Sequence, residues 1–326
     1  MYYISELESI ALDEPYELGY RTLRILSGYA SATFLTHVLN KYRDLEIELI
    51  IGMARKDGIK RWDHEQFKRI MAEFQNVKIR YNKTLPGIHT KIYHWTNGRL
   101  HNNTKTFIGS ANFSWNGFRD QKELLAESHY ENIVEVFEVK DAILCTDPNV
   151  EDYIKFYNVS VIGREYGDLS IQIRRREEQI LRTSHYRLDY VDLPLLIQND
   201  TAIHEIGGLN WGQRADRDPN QAYIPVPARI HQENMAFFPP RKQEFTMLTD
   251  DGEHMVCVIA QDNNKAIETP GNNSILGIYF RNRLGVTLGA RVDVQDVVNY
   301  GRTTVRVYKL DSETYFMDYG VGTNGT

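Results

Sequence analysis

Apolar and polar positions follow two different periods along the first 160 residues of the chain. Runs such as Leu49-Ile50-Ile51 are typical of buried strands, whereas the apolar positions 67, 70, 71 and 74 form one stripe on a helix. The predicted strands are Thr22–Ser27, Glu46–Met53, Val77–Tyr81, Ile88–Trp95, Lys105–Phe113 and Glu123–Ser128. The predicted helices are Ala32–Tyr42, a second helix capped by Asp63 with Gln66 at the capping-box position, and Ile133–Leu144. This alternation predicts a mixed α/β sandwich.

The pattern changes beyond about residue 165, where short strands are separated by turn-forming residues. The predicted strands are Leu169–Ile173, Tyr223–Val226, Phe245–Leu248, Met255–Ile259, Ile275–Phe280 and Thr303–Lys309. Short strands of this kind favour a mostly-β barrel. We therefore predict two domains, residues 1–165 and 166–326, with a boundary near Gly163 to Gly167.

The composition limits where the protein acts and what it binds. Of its 326 residues, 42% are hydrophobic and 25% are charged, and no apolar run has the length of a membrane span. The first residues do not form a signal peptide, and Cys145 and Cys257 fall in different halves, so we expect a cytoplasmic protein with no disulfide framework.

The charge pattern points to local rather than bulk contacts with nucleic acid. The net charge of −6 argues against binding DNA through overall charge. Residues 1–165 contain 10 Arg and 11 Lys, whereas residues 166–326 contain 14 Arg and 3 Lys. Arginine binds guanine edges and phosphates with two parallel hydrogen bonds, although Arg-rich β domains are also common without that role.

A short set of polar residues supplies the groups for metal-free attack on a phosphodiester. His89 and Lys91 lie two apart in one predicted strand, and Ser110 and Asn112 lie two apart in the next, so each pair is expected on one face of its strand. Glu123 follows eleven residues after Asn112. An imidazole can attack phosphorus, and an ammonium, a hydroxyl and an amide can bind the phosphate oxygens.

At these residues the chain resembles the phospholipase D superfamily, whose pattern is His-x-Lys, Gly-Ser-x-Asn and a downstream acid. The resemblance implies that His89 forms a phosphohistidine, that Lys91, Ser110 and Asn112 bind the non-bridging oxygens, and that Glu123 orients a histidine. Many members have Asp five residues after the Lys, where this chain has Thr96. The nuclease branch often lacks that Asp.

The chain contains one His-x-Lys, whereas the reaction of the superfamily uses two histidines. A two-fold homodimer would supply both, with one His89 attacking and the other donating a proton at a shared site. His94 and His101 suggest a metal site instead. His94 is one residue out of phase with His89, and no Cys or carboxylate stands at ligand spacing, so we expect no metal and no other cofactor.

Two polar stretches in the second half are candidate DNA-reading loops. Asn, Gln and Arg are the residues that pair with adenine and guanine in the major groove, although ordinary surface loops are rich in them too. The candidates are Asn210, Trp211, Gln213, Arg214, Arg217, Asn220 and Gln221 in the first stretch, and Asn272, Asn273, Arg281, Asn282 and Arg283 in the second.

Beside the nuclease motif, the second half resembles the B3-like DNA-binding domain of NgoFVII-type restriction endonucleases, chiefly over Gly207–Arg229. The resemblance implies an N-terminal phospholipase D-like α/β/α sandwich followed by a C-terminal mostly-β pseudobarrel, whose two arms grip the major groove. Some relatives act with a separate ATP-driven helicase-like subunit, and this chain has no phosphate-binding Gly-x-x-x-x-Gly-Lys loop of its own.

The sequence therefore predicts a type II-like restriction endonuclease that cuts double-stranded DNA at a specific sequence without a metal ion. Two alternatives stay open. One is a DNA-binding subunit whose nuclease half is silent or requires a partner, and the other is a phosphodiesterase that acts on a substrate other than DNA. The absence of membrane-surface features in the second half disfavours a phospholipid substrate.

Overall fold

The computed structural model describes residues 1–97, 104–130, 132–162, 169–175, 184–186, 189–197 and 201–321. These residues divide into two compact units. The first contains residues 1–162, 170–175 and 184, and the second contains residues 169, 185–186, 189–197 and 201–321. The predicted boundary near Gly163 to Gly167 lies outside the described residues.

The first unit contains a large mixed sheet and a smaller one. Its strands are β1 (Tyr2–Tyr3), β2 (Thr22–Ser27), β3 (Glu46–Ile51), β4 (Ile59–Lys60), β5 (Val77–Asn82), β6 (Lys91–Thr96), β7 (Thr104–Gly109), β8 (Leu125–Glu127), β9 (Ala142–Leu144) and β10 (Phe156–Ile162), followed by β11 (Leu169–Arg175) from residue 170 onward and the first residue of β12 (Ser184–Tyr186). The order of the large sheet is β1-β8-β7-β6-β2-β3-β5-β9 in the described residues, and that of the small sheet is β12-β11-β10-β4.

The helices of this unit are mostly short. They are α1 (Glu14–Glu17), α2 (Ala32–Lys41), α3 (Ala54–Asp57), α4 (Arg61–Glu73), α5 (Ile133–Phe137) and α6 (Val150–Tyr153), together with π-helical turns at Ser9–Asp13 and Asn116–Asp120. No helix within the described ranges is both long and apolar enough to cross a membrane.

Alternation along the strands explains the layers. In β2, Leu23 and Ile25 belong to the main core with the apolar residues of α2 and α4, whereas Leu26 belongs to a smaller cluster with Phe137 of α5. Helices therefore cover both faces of the sheet, and the predicted α/β/α sandwich is confirmed.

Three local predictions in this unit were wrong. Asp63 lies inside α4, and its carboxylate accepts a hydrogen bond from the Ala32 amide at 3.1 Å, so it caps the beginning of α2 rather than its own helix. Residues 133–144 form α5 and β9 rather than one helix. Strand β11 exists, but it pairs with β10 in the first unit instead of joining the barrel.

The second unit is a seven-stranded sheet whose edges approach each other. Its strands are β13 (Tyr190–Pro194), β14 (Ile224–Pro225), β15 (Glu244–Thr249), β16 (His254–Ala260), β17 (Ala266–Glu268), β18 (Thr304–Lys309) and β19 (Thr314–Asp318), in the order β13-β18-β19-β15-β16-β17-β14. Because the edge strands β13 and β14 contact each other, the sheet forms a nearly closed barrel, as predicted. Its helices are α7 (Ala228–Glu233), α8 (Ser274–Leu284) and α9 (Val294–Tyr300), with 3-10 turns at Gly208–Gln213 and Asp262–Asn264.

The predicted strand Ile275–Phe280 is wrong, because these residues lie in α8. A short continuous apolar run fits a buried strand or a buried helix equally well. Here the helix buries Leu276 and Phe280, which are four residues apart, and ends at Gly285 with φ of +69°. Gly277 allows the helix to pack closely against the backbone of Asn220, since a Cβ atom at position 277 would lie 1.6 Å from the Asn220 carbonyl oxygen.

Candidate active site and DNA-reading loops

The register of the central strands brings the two halves of the sequence motif together. Lys91, the first residue of β6, pairs with Gly109, the last residue of β7, and Gly109 in turn pairs with Leu125 of β8. The same end of the sheet receives the carboxyl end of β2, because β2 runs antiparallel to β6. Residues 27–29, 89–91, 109–112 and 123–125 therefore adjoin at one end of the sheet.

His89, Ser110 and Asn112 lie outside the strands in which they were predicted. β6 begins only at Lys91, and β7 ends at Gly109, so the alternation of a regular strand does not position these three side chains. The chain before His89 is held by a hydrogen bond from the Ile88 amide to the Gly52 carbonyl oxygen at 2.9 Å.

The His89 imidazole and the Lys91 ammonium are in direct contact. Nζ of Lys91 lies 2.8 Å from Nδ1 and 3.3 Å from Nε2 of His89, and it donates to the His89 carbonyl oxygen at 2.7 Å. Lys91 is buried, whereas His89 is exposed. Burial lowers the pKa of Lys91, and the negative charge of Glu123 opposes this effect. The site thus presents an accessible imidazole beside a fixed cation.

Glu123 interacts with the serine of the motif. Its carboxylate accepts a hydrogen bond from the Ser110 hydroxyl, and Ser110 Oγ accepts one from the Leu124 amide at 3.0 Å. In the described chain, Glu123 is thus bonded to Ser110, and the histidine-orienting role implied by the resemblance has no counterpart among the contacts of this single chain. Glu123 thus fixes the Ser110 hydroxyl, and its histidine-orienting role stays a prediction.

Three residues beside Asn112 were not predicted from the sequence, namely Ser27, Gly28 and Tyr29. Oδ1 of Asn112 accepts a hydrogen bond from the Tyr29 amide at 3.1 Å and lies 3.5 Å from Ser27 Oγ. A Cβ atom on Gly28 would lie 3.3 Å from Asn112 Oδ1, 3.4 Å from His89 Cδ2 and 3.4 Å from Lys91 Nζ. A usable signal was present, because Ser27 ends a predicted strand and the other two residues follow it, and the carboxyl ends of parallel strands are where sites form in α/β sheets.

Buried hydroxyls support the turn that carries Ser110 and Asn112. The Tyr93 hydroxyl donates to the Ala111 carbonyl oxygen at 2.7 Å, and Ser27 Oγ accepts from the Phe113 amide at 3.0 Å. Tyr93 is fully buried, so its hydroxyl is held rigidly. These contacts fix the turn at residues 110–113 on its core-facing side.

His94 does not join the site. His94 is buried, and its Nδ1 lies 2.8 Å from Thr106 Oγ1, while His101 lies outside the described residues. Among the residues that are described, no group of three or more His, Cys, Asp or Glu side chains is arranged to hold a metal ion.

In the second unit, the two predicted reading stretches adjoin. Residues 210–221 pack on α8, since Ser274 Oγ donates to Asp218 Oδ1 at 2.9 Å and the Ala222 amide donates to the Asn273 carbonyl oxygen at 3.2 Å. Asn273 and the exposed Asn272 immediately precede α8, and Asn282 is exposed near its end. The structure thus brings both stretches to one side of the barrel.

Several of the residues predicted to read DNA form hydrogen bonds with the backbone of this region. Asn210 is fully buried and exchanges two hydrogen bonds with the backbone of Val292, both at 2.8 Å. Arg281 is also fully buried, and its guanidinium donates to five backbone carbonyls, those of Ala290, Asn220, Gly277, Leu209 and Pro219. Neither side chain is exposed in this structure, so burial disfavours the prediction that Asn210 and Arg281 read DNA.

Other side chains of this set also have partners within the unit. Arg283 forms an ion pair with Asp250 at 2.9 Å, and its side chain is only 15% exposed. Gln213 donates to the Gly289 carbonyl oxygen at 3.2 Å, and Asn220 Oδ1 accepts from the Gly289 amide at 2.6 Å. These contacts tie the first stretch to the segment that follows α8.

The exposed members of the first stretch are held but accessible. The Arg217 guanidinium lies over the ring of Trp211, 3.9 Å from its centroid, and Nη1 donates to Gln221 Oε1 at 2.7 Å. Arg214 is exposed and donates from Nε to the Ile206 carbonyl oxygen at 2.7 Å. Arg217 therefore presents a preorganised guanidinium at the surface.

Comparisons with known proteins match both units. A model of the NgoFVII restriction endonuclease N-terminal PLD domain matches residues 5–152, and a model of the NgoFVII C-terminal B3-like DNA-binding domain matches residues 185–311. NucT from Helicobacter pylori is a similar solved structure with 14% sequence identity and a TM-score of 0.32, and the match covers 44% of this chain and 97% of that chain. No curated protein matches the chain.

Proposed function

We propose, since the chain belongs to the family of NgoFVII restriction endonucleases, that it is a type II-like endonuclease of double-stranded DNA. Residues 1–165 would form the nuclease domain, and residues 166–326 would form the domain that recognises a specific sequence. The observation that carries the nuclease assignment is the contact between the exposed His89 imidazole and the buried Lys91 ammonium.

The nuclease reaction uses His89 as the nucleophile. A ring nitrogen of His89 bonds to phosphorus while one P–O ester bond breaks, which gives a phosphohistidine and a free DNA end. Lys91, Ser110 and Asn112 stabilise the negative charge that accumulates on the phosphate oxygens. Water then attacks phosphorus, the P–N bond breaks, and the second end is released.

A proton must reach the leaving oxygen, and a second histidine is the natural donor. In a two-fold homodimer, the partner subunit's His89 would protonate the leaving oxygen and later accept a proton from the attacking water. None of these steps uses a metal ion. The exposure of His89 supports this arrangement, because the imidazole is open to both DNA and a second subunit.

The DNA-recognition assignment rests on the surface formed by residues 210–221 and the two ends of α8. Arg217 and Gln221 are the best candidates for base contacts, because both have planar polar groups and Trp211 fixes the guanidinium. Arg214, Asn272 and Asn282 are exposed beside them and fit phosphate or base contacts.

The test is cleavage of mixed-sequence duplex DNA in excess EDTA by wild type and by His89→Ala. We expect discrete fragments from wild type. The cleavage rate of His89→Ala should fall by about 1,000-fold or more, while the variant still binds DNA. The exposed His129 provides the control variant His129→Ala, which should cut normally. Cleavage by His89→Ala contradicts the mechanism, and a strict requirement for added metal contradicts metal independence.

The same assay separates the alternative in which the nuclease half is silent. Sequence-specific band shifts without cutting by wild type would favour a DNA-binding subunit, and the assay would then be repeated with ATP and a helicase-like partner. End-sequencing of any fragments identifies the recognised site and the cleavage position.

A further inference from the structure

We propose that Tyr29 is a positioning residue for His89, and that Asp57 holds the Tyr29 ring in place for this purpose. This inference deepens the proposed function and rests on the role of His89 as the nucleophile. No part of the His-x-Lys or Gly-Ser-x-Asn motif includes Tyr29 or Asp57. Tyr29 lies in the loop that follows β2, and Asp57 ends α3, which follows β3.

Tyr29 touches both halves of the motif. Its ring lies edge-on to the His89 imidazole, with 5.9 Å between the ring centroids and 80° between the planes. Its backbone amide donates to Asn112 Oδ1 at 3.1 Å. Tyr29 thus fixes the position of the His89 imidazole relative to the Asn112 amide group.

The Tyr29 ring is itself held at the far end. The hydroxyl donates to Asp57 Oδ2 at 2.5 Å, and Asp57 is the last residue of α3. Burial, together with the hydrogen bond to Asp57, raises the pKa of Tyr29 to about 12. The phenol therefore remains protonated at neutral pH and keeps donating to the carboxylate.

The backbone around Tyr29 is fixed by the sheet. Ser27 Oγ donates to the Tyr29 carbonyl oxygen at 2.6 Å, and the Met53 amide donates to the Gly28 carbonyl oxygen at 3.0 Å. The ring is nevertheless 41% exposed, so burial in the core does not account for its position. An exposed tyrosine with both ends fixed beside an exposed imidazole is suited to restricting the rotation of that imidazole.

Restricted rotation matters because an imidazole attacks phosphorus only along a narrow range of directions. Misplacement of a reacting group by about 1 Å can cost about 100-fold in rate. Lys91 fixes one edge of the His89 ring, and Tyr29 limits the ring on another side. Losing the Tyr29 ring would lower the rate of the chemical step without weakening DNA binding.

The first test compares single-turnover cleavage and DNA affinity in Tyr29→Ala and Tyr29→Phe. Tyr29→Ala should cut about 10-fold to 100-fold more slowly at saturating protein, with unchanged affinity for DNA. Tyr29→Phe keeps the ring and should recover most of the rate. The proposal is overturned if Tyr29→Ala cuts at the wild-type rate, or if weaker DNA binding accounts for its whole loss.

A matched control is available at the opposite end of β2. The Tyr16 hydroxyl donates to Asp44, as the Tyr29 hydroxyl does to Asp57, but Tyr16 precedes the strand whereas Tyr29 follows it. Tyr16→Phe should cut as fast as wild type. If Tyr16→Phe slows cleavage measurably, loss of a tyrosine–aspartate hydrogen bond acts through general stability, and the role assigned to Asp57 fails.

The role of Asp57 has its own test, which also applies if Tyr29→Ala does not fold. Asp57→Ala and Tyr29→Phe remove the same hydrogen bond, so the double variant should be no slower than the slower single variant. Asp57→Asn retains an acceptor oxygen and should cut nearly as fast as wild type. Additive losses would show that the two residues act separately and would overturn the proposal.

A second readout does not depend on cleavage. In protein labelled with 13C-histidine, the Cε1–H signal of His89 is assigned by its absence in His89→Gln. It should shift in Tyr29→Ala, because the ring current of the neighbouring tyrosine is lost, and it should not shift in Tyr16→Phe. An unmoved signal overturns the positioning role, whereas a shifted signal in a protein that cuts no DNA places the failure in the proposed function.

Discussion

Gly28 lies so close to Asn112 that a Cβ atom at position 28 would stand 3.3 Å from the Oδ1 atom of the amide. The same atom would lie 3.4 Å from both His89 Cδ2 and Lys91 Nζ. A methyl group at this position would therefore press slightly on Asn112 Oδ1, while its contacts with His89 and Lys91 would be ordinary van der Waals contacts.

Gly28→Ala should consequently impair cleavage more than folding. The added methyl pushes on Asn112 Oδ1, so we expect cleavage to fall by about 10-fold or more, because small displacements of catalytic groups are costly. The free energy of unfolding should change by less than about 1 kcal/mol, the usual range for a replacement that meets only slight crowding. Single-turnover cleavage and urea denaturation check the two expectations, and an unfolded or fully active variant contradicts them.

Arg217 should contribute to sequence recognition. Arg217→Ala should weaken binding to the recognised sequence by about 1–3 kcal/mol, or about 5-fold to 150-fold, while binding to random DNA changes much less. Arg217→Lys should lose most of the same affinity, because an ammonium cannot make two parallel hydrogen bonds to guanine. Band shifts with cognate and random duplexes measure the ratio of the two affinities in each variant.

The control for that prediction is Arg241→Ala. Arg241 is an exposed arginine outside residues 210–221, and it pairs with Asp262. If Arg217→Ala loses equal affinity for both duplexes, Arg217 contacts phosphate and does not contribute to sequence recognition.

Arg281 should be essential for folding of the second unit rather than for reading DNA. Arg281→Leu removes the guanidinium donor from five backbone carbonyls, of which that of Pro219 also accepts from Gln213. The loss should cost about 3–5 kcal/mol of unfolding free energy. The exposed Arg229 offers the control Arg229→Leu, expected within about 0.5 kcal/mol of wild type. A stable Arg281→Leu protein that fails only in DNA binding would restore the reading role.

His64 should make the protein less stable in acid. It is buried, stacks on Phe156 with 3.9 Å between ring centroids, and lies 3.1 Å from the Tyr81 hydroxyl. Burial lowers the pKa of His64 to about 4, whereas an unfolded histidine titrates near about 6.5. Between these values the unfolded chain binds a proton that the folded chain does not, so stability is lost as the pH falls from about 6.5 towards 4.

The expected loss is about 2–4 kcal/mol, and it is measured as the difference in unfolding free energy between pH 7 and pH 4. His64→Gln should flatten this dependence, whereas His129→Gln, at an exposed position, should leave it unchanged. The same slope in wild type and His64→Gln would assign the acid sensitivity to other groups, such as the buried His94, whose pKa burial also lowers.

Several features could be predicted from local pattern. The strand Thr22–Ser27 was predicted with its observed bounds, and the helix at residues 32–41 within one residue, because apolar periodicity reports which side chains are buried in one short segment. The periodicity of Ile275–Phe280 was too short to distinguish a helix from a strand, and only the structure shows a helix that buries Leu276 and Phe280. Asp63 has the sequence signature of a cap, but only the packing of α4 on α2 shows which helix it caps.

The sequence by itself determined the chemical groups of the candidate site, since the types and order of His89, Lys91, Ser110, Asn112 and Glu123 do not depend on folding. The tertiary structure decided how those groups meet. Strand register places Lys91 opposite Gly109, and the loop after β2 adds Gly28 and Tyr29, which lie at least sixty positions before His89 in the sequence. It also decided that Arg217 is exposed and Arg281 is buried, because exposure depends on neighbours that are distant in sequence, and no local pattern records them.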